Sequence, residues 1–108
     1  MSTISTHVLD TTLGRPAAGM RVTLSRGGAA MHSAGTDADG RITSFGGDRT
    51  LEPGSYQLRF DVAAYLGAAG RKGFYREIVI QFEVGPGEEH YHVPLLLSPY
   101  GYTTYRGS

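Results

Sequence analysis

Frequent turn signals between short runs of alternating residues constrain the fold of this chain most strongly. Gly27-Gly28, Asp37–Gly40, Pro53-Gly54 and Gly85–Gly87 recur along a sequence of 108 residues that contains 16 glycines. Glycine favours turns and weakens helices, because it pays the largest conformational entropy in regular structure. Most runs between these turns alternate apolar and polar residues, which is the period of a half-buried strand. The pattern predicts an all-β chain.

Eight segments are predicted as strands and one as a helix. The strands are Ser5–Asp10, Arg21–Arg26, Met31–Thr36, Arg41–Ser44, Ser55–Phe60, Glu77–Val84, Tyr91–Leu97 and Tyr100–Tyr105. The alanine-rich segment Asp61–Ala69 is predicted as a helix of at most two turns, with Asp61 as its N-cap. Short strands at this spacing, within one domain spanning residues 1–108, predict a β-sandwich.

Composition argues against several classes of protein. Ten basic and ten acidic residues give a formal net charge of zero, whereas a nucleic-acid binder shows a basic excess. Lys72 is the only lysine, so the chain has no polybasic membrane patch, and no apolar run approaches the roughly 20 residues of a membrane span. Cysteine is absent, which excludes disulfides and a thiolate nucleophile. Met1–Thr6 lacks the pattern of a secretory signal, so we expect a cytoplasmic protein.

One face of the last long predicted strand mixes histidines with apolar residues. Tyr91 and the residues that alternate with it are apolar and suit a core. The opposite face carries His90, His92, Pro94 and Leu96, which is typical of the wall of a site or an interface rather than of plain solvent exposure.

Two further residues could complete a catalytic group with this face. His7 lies in the middle of the first predicted strand, and Arg41 follows the Asp37–Gly40 turn. A histidine can take a proton from water and return it to a leaving group. An arginine can hold an oxygen-rich substrate and offset developing negative charge. This combination suits hydrolysis without a metal, although spacing alone leaves a surface or packing role open for each residue.

A metal site is the competing interpretation of the same histidines. His90-x-His92 together with His7 resembles a three-histidine zinc site, with Glu88 and Glu89 close in sequence. The sequence contains neither a Gly-x-Ser-x-Gly elbow nor a glycine-rich phosphate loop with a lysine, which argues against a serine hydrolase or an NTPase.

Three motifs that span most of the chain resemble those of one family. They are Ser5–Thr11 with the following Gly14–Ala17, Thr36–Arg41, and His90–Tyr102 with the terminal Tyr105–Ser108. Together they resemble the 5-hydroxyisourate hydrolases, the enzymatic branch of the transthyretin family. The terminal tetrapeptide is the most specific part, because the hormone-carrier branch lacks it. Thr103 is a small departure, since the family motif leads us to expect serine there.

The resemblance implies an eight-stranded sandwich with one short helix, assembled as a homotetramer with its active site in a channel where two dimers meet. It implies hydrolysis of 5-hydroxyisourate to 2-oxo-4-hydroxy-4-carboxy-5-ureidoimidazoline in urate degradation, a part of purine catabolism, without cofactor or metal. We expect neither nucleic acid nor membrane as a partner.

The resemblance also implies roles for particular residues. His7, Arg41 and His92 correspond to the catalytic residues of the family, and Tyr105, Arg106, Gly107 and Ser108 to its substrate-binding tail. His90 matches the motif without a catalytic role. Two alternatives remain at this point: a binding protein that holds a small aromatic ligand without turnover, and a purely structural sandwich.

Overall fold

The computed structural model describes residues 2–43, 45 and 51–107, and this part of the chain forms two β-sheets and one short helix. The strands are β1 (Thr3–Asp10), β2 (Arg15–Pro16), β3 (Arg21–Arg26), β4 (Ala29–Gly35), β5 (Arg41–Ile42), β6 (Gly54–Phe60), β7 (Ile78–Val84), β8 (His90–Leu97) and β9 (Tyr102–Thr104), and the helix α1 is Val62–Ala68. The prediction of an all-β chain with one short helix is confirmed. No helix in the described ranges is long and apolar enough to cross a membrane.

The two sheets differ in how their strands pair. One sheet has the order β2-β1-β8-β9, with β5 also paired to β1, and the other has the order β4-β3-β6-β7. Every pair is antiparallel except β1 with β8, which run parallel from Thr3 opposite His90 to Asp10 opposite Leu97. This parallel pair brings an early strand and a late strand of the chain side by side.

Most predicted boundaries lie within two residues of the observed ones, and β3 agrees residue for residue. The short strand β2 was missed, because two residues that include Pro16 show no alternation. β5 ends at Ile42, and Ser44 of the predicted strand lies outside the described residues. β9 begins two residues later than predicted, because the Ser98 N–H donates to the Gly101 carbonyl at 3.0 Å and closes a turn before the strand starts.

Apolar side chains at alternate positions of β1, β6 and β8 build the core. One face of each strand carries buried apolar side chains, among them Val8, Leu58 and Leu95, all with no exposed surface. The other face of β1 and β8 points away from the core because successive side chains of a strand alternate between its two sides. The predicted Asp61 N-cap is confirmed, since its carboxylate accepts the Ala64 N–H at 3.2 Å.

Candidate active site

The parallel register of β1 and β8 places polar residues side by side on the outer face of the sheet. Thr3 lies opposite His90 and Ser5 lies opposite His92. The intervening residues Ile4 and Tyr91 are buried in the core. The outer face therefore carries an imidazole and a hydroxyl group at each of two successive positions.

The four side chains form one continuous chain of hydrogen bonds. Thr3 Oγ1 lies 2.7 Å from His90 Nδ1, and the other nitrogen of His90, Nε2, lies 2.7 Å from Ser5 Oγ. Ser5 Oγ is also 2.8 Å from Nδ1 of His92. Ser5 thus joins the two imidazoles and restrains both rings, and Nε2 is the nitrogen of His92 that Ser5 does not contact.

A tight turn positions Arg41 beside this face. The Asp37 carboxylate accepts the backbone N–H groups of Asp39 and Arg41, both at 2.9 Å. Gly40 has a φ of 74°, and a Cβ there would collide with the carbonyl oxygen of Val8. Glycine therefore lets the turn lie directly against β1, where the Val8 N–H donates to the Gly40 carbonyl at 2.7 Å. The turn therefore places Arg41 opposite His7 in the β1–β5 pair.

A cavity of about 360 Å³ opens on this surface. Its lining consists of six polar residues: Ser5, Thr6, Arg41, Thr43, His90 and His92. Cavities of a few hundred Å³ with convergent polar groups are typical of small-molecule sites. Hydroxyl, guanidinium and imidazole groups converge on it, which favours a small occupant with several hydrogen-bonding groups.

His92 is the residue of this cavity with a shifted pKa. Burial lowers the pKa of the His92 imidazole, and the guanidinium charge of Arg41 and the neighbouring imidazoles of His7 and His90 lower it further. The ring is therefore held neutral at neutral pH, which is the form that accepts a proton.

His7 lies beside Arg41 but does not line the cavity. It is half-buried, and its Nε2 is a buried polar atom with no hydrogen-bond partner among the described residues. A buried nitrogen without a partner costs free energy of the order of 1–3 kcal/mol, so such an atom calls for an explanation. A bound molecule that supplies the missing hydrogen bond would explain it.

The three-histidine metal site is not formed by the described residues. They contain no group of three histidine, cysteine, aspartate or glutamate side chains placed to hold an ion. Both ring nitrogens of His90 are already bound to the hydroxyl groups of Thr3 and Ser5.

The structure separates the residues of the predicted tail. Gly107 lies against His92: its N–H donates to the His92 carbonyl at 2.7 Å. Arg106 points elsewhere, because its guanidinium pairs with Glu89 at 3.0 Å and lies 4.4 Å from the centre of the Tyr91 ring. Tyr105 and Arg106 line a second cavity of about 270 Å³ instead. Ser108 lies outside the described residues.

Sequence reasoning missed three hydroxyl residues of the cavity. Ser5, Thr6 and Thr43 line it beside Arg41 and His92. Alternation could have indicated Ser5, which is two residues before His7 and therefore on the same face of the predicted strand. Nothing in the sequence indicated that Ser5 would face His90 and His92, since that contact depends on the parallel pairing of distant strands.

Comparison with known families and structures identifies the group to which this chain is related. The profile of the HIUase/Transthyretin family matches residues 4–107. The chain belongs to this family. The HIUase/Transthyretin assignment confirms the family predicted from the three motifs.

Similar members of the HIUase/Transthyretin family include proteins from distant organisms. The 5-hydroxyisourate hydrolase of Caulobacter vibrioides is 42% identical, with 100% of both chains covered. That of Mus musculus is 40% identical over 99% of this chain and 96% of its own. Among solved structures, Klebsiella pneumoniae 5-hydroxyisourate hydrolase is 41% identical with a TM-score of 0.92, covering 100% of this chain and 94% of its own. Sea bream transthyretin in complex with thyroxine is 30% identical with a TM-score of 0.86, over 96% and 93% respectively.

Proposed function

We propose that this chain hydrolyses 5-hydroxyisourate to 2-oxo-4-hydroxy-4-carboxy-5-ureidoimidazoline in the cavity that His92 and Arg41 line. The relatives named 5-hydroxyisourate hydrolase match it over almost their whole lengths, which supports a hydrolase of urate degradation. The observation that carries the assignment to this cavity is that the His92 imidazole and the Arg41 guanidinium group share its lining.

The mechanism assigns the proton transfer to His92. Its Nε2 accepts a proton from water as the water oxygen bonds to a ring carbonyl carbon of the substrate. Arg41 offsets the negative charge on the oxygen of the tetrahedral intermediate. The ring C–N bond then breaks, and the imidazolium returns its proton to the departing nitrogen. His7 lies opposite Arg41 in the β1–β5 pair, and we assign it the role of the second catalytic imidazole beside that guanidinium group.

A binding protein without turnover is the alternative that this cavity disfavours. Sea bream transthyretin, which is structurally similar, is seen with thyroxine. An aromatic hormone needs apolar contacts, whereas all six lining residues of the present cavity are polar. Turnover therefore fits the surface better than retention of an apolar ligand.

Assembly is part of the same proposal. Within the described residues, β7 pairs only with β6 and β9 only with β8, so each sheet has a strand edge that another subunit can cover. Val79 and Tyr102 on these edge strands are more than two-fifths exposed. We propose a homotetramer built as a dimer of dimers, and a sedimentation experiment that finds a fully active monomer would contradict it.

The tail residues enter the site through this assembly. Gly107 touches His92 in its own subunit, whereas Tyr105 and Arg106 line the second cavity. We therefore propose that Tyr105, Arg106, Gly107 and Ser108 form a substrate-binding segment that is complete only when subunits meet.

We also propose that the single domain of residues 1–108 acts in the cytoplasm, since a chain without cysteine needs no oxidising compartment to fold. Cell fractionation tests the location.

The catalytic trio can be tested by substitution. His92→Ala, Arg41→Ala and His7→Ala should each fold normally and lose on the order of 100-fold in rate, because each removes an acid–base or charge-stabilising group. The assay is the ultraviolet decay of freshly generated 5-hydroxyisourate, measured with and without protein, since the reaction also runs slowly without enzyme.

Matched controls lie on the other sheet. His32→Ala on β4 and Arg59→Ala on β6 remove the same side-chain types away from the cavity and should leave the rate unchanged. His90→Ala should cost less than His92→Ala. Near-normal turnover by His7→Ala or His92→Ala would disprove the corresponding assignment.

A further inference from the structure

The hydroxyl group of Ser5 links the protonation of two imidazoles. It lies 2.7 Å from His90 Nε2 and 2.8 Å from His92 Nδ1. A serine hydroxyl has one hydrogen, so it donates to one of these nitrogens and accepts from the other. When both rings are neutral, one of the two nitrogens therefore carries a hydrogen and the other does not.

When both imidazoles are neutral, only two placements of the hydrogens allow all three hydrogen bonds between Thr3, His90, Ser5 and His92 to form. In the first, His92 Nδ1–H donates to Ser5, the Ser5 hydroxyl donates to His90 Nε2, and His90 Nδ1–H donates to Thr3. In the second, every bond is reversed: Thr3 donates to His90, His90 to Ser5, and Ser5 to His92. The first leaves a lone pair on Nε2 of His92, and the second places a hydrogen there.

The proposed role of His92 selects the first arrangement. Arg41 and His92 line the same cavity, and Nε2 is the nitrogen of His92 that Ser5 does not contact. A base that takes a proton through Nε2 needs a lone pair on that atom, which only the first arrangement provides.

We infer that Ser5 and His90 are positioning residues that hold His92 in the tautomer with a hydrogen on Nδ1 and a lone pair on Nε2, with Thr3 ending the chain. The inference rests on the proposed role of His92 as the base that activates water. It extends that role to three residues, Thr3, Ser5 and His90, that need not touch the substrate for this purpose. They act as an orienting partner does in other hydrolases, by fixing which nitrogen faces the reaction.

The tautomer of the unmodified enzyme is directly measurable. Nitrogen-15 NMR of the histidine-labelled protein, at a pH where His92 is neutral, should show Nδ1 of His92 protonated and Nε2 unprotonated. In Ser5→Ala the signals should move towards the Nε2-protonated form, because Nδ1–H loses its acceptor. A wild-type His92 with its hydrogen on Nε2 would overturn the inference, whether or not any variant folds.

Kinetics provide a second and independent test. Ser5→Ala should lower kcat by about 10- to 100-fold with KM within about twofold, since the lost partner orients the base rather than binds substrate. Ser5→Thr keeps a hydroxyl group on a strand and should restore most of the rate. Ser55→Ala is a matched control, because this β6 serine pairs with Gln81 on the other sheet. It should retain full activity.

The outcomes separate this inference from the proposed function. An inactive His92→Ala combined with a fully active, folded Ser5→Ala overturns the inference and leaves His92 as the base. Full activity in both variants overturns the base assignment as well. Loss of rate in Ser5→Ala without a change of the His92 tautomer would also overturn the inference, since it would point to a merely structural role.

Discussion

At the residue scale, His92 is restrained from two directions. Ser5 engages Nδ1 on one side, and the backbone of Gly107 packs on the other. A Cβ at Gly107 would lie 2.6 Å from His92 Cδ2, so the absence of a side chain is what allows the tail to lie on the imidazole. A base held this closely keeps its geometry between turnovers, and displacements of about 1 Å in a site can cost a factor of about 100 in rate.

The pH dependence of the base follows from its surroundings. Burial, and then the guanidinium charge of Arg41 and the neighbouring imidazoles of His7 and His90, lower the pKa of His92. Because the neutral ring is the form that we propose as the base, activity should persist into mildly acidic solution and fall only as the pH drops through this lowered pKa. Arg41→Gln removes the guanidinium charge, so it should move the pKa of His92 up towards its ordinary value.

The shift is best measured by NMR titration of the His92 ring, which does not require an active variant. Arg59→Gln, whose parent residue pairs with Glu77 at 2.6 Å on the other sheet, is the control and should leave the midpoint unchanged. An unchanged midpoint in Arg41→Gln would show that this charge does not act on the base.

At the scale of elements, one buried carboxylate joins the helix to the sheet. Asp10 ends β1 with no exposed surface. It accepts hydrogen bonds from Tyr65 of α1 at 2.8 Å and from Arg71, which follows the helix, at 2.7 and 3.2 Å. Burial raises the pKa of Asp10, but the hydrogen bonds from Arg71, Tyr65 and the Leu13 N–H outweigh burial and hold the pKa below its ordinary value. This contact anchors the helix to the strand that also carries Ser5 and His7.

Asp10→Asn should therefore destabilise the protein by about 2 kcal/mol at about pH 7, because the buried amide cannot accept all the hydrogen bonds that the carboxylate takes from Arg71, Tyr65 and the Leu13 N–H. The pKa is lowered by folding, so the stabilisation is complete above the unfolded pKa of about 4 and is lost as the pH falls through the lower folded value. Urea unfolding should be measured at about pH 7 and about pH 3. The difference in the free energy of unfolding between the wild type and the variant should be smaller at the lower pH.

The exposed Asp39→Asn serves as the comparison and should change the free energy of unfolding by no more than about 0.5 kcal/mol. A gap that stays constant between the two pH values would contradict an ionised Asp10 in the folded state.

At the scale of the whole molecule, the two ends of the chain meet at the site. β1 and β8 pair over their full lengths, and the tail returns along β9 so that Gly107 bridges to His92. Chain ends are usually solvated and tolerate additions. In this chain Gly107 lies against His92, the residue that we propose as the base.

A peptide fused after Ser108 should consequently lower the rate by at least about tenfold while leaving the fold intact, because it places bulk beside His92. The comparison uses a self-cleaving C-terminal tag, assayed before and after release, with circular dichroism as the check on folding. Release should restore activity. Full activity before release would show that the tail is only an edge strand with a solvated end.

Local chemistry in the sequence determined the elements of this fold. Glycine and proline at the turns, alternation between them, and Asp61 before an alanine-rich segment predicted most strand boundaries and the helix, because backbone preference and side-chain period act over a few residues. The motifs indicated the family. They also singled out Arg41 and His92, which the structure brings into one cavity.

Tertiary structure alone decided how these elements meet. The parallel pairing of β1 with β8 inserts Ser5 between His90 and His92, residues more than 80 positions away in sequence. The tail places Gly107 on His92 but sends Arg106 to Glu89 and Tyr91. Strand register and partner choice come from packing the shared core, which involves the whole chain at once, so no local pattern could have specified these contacts.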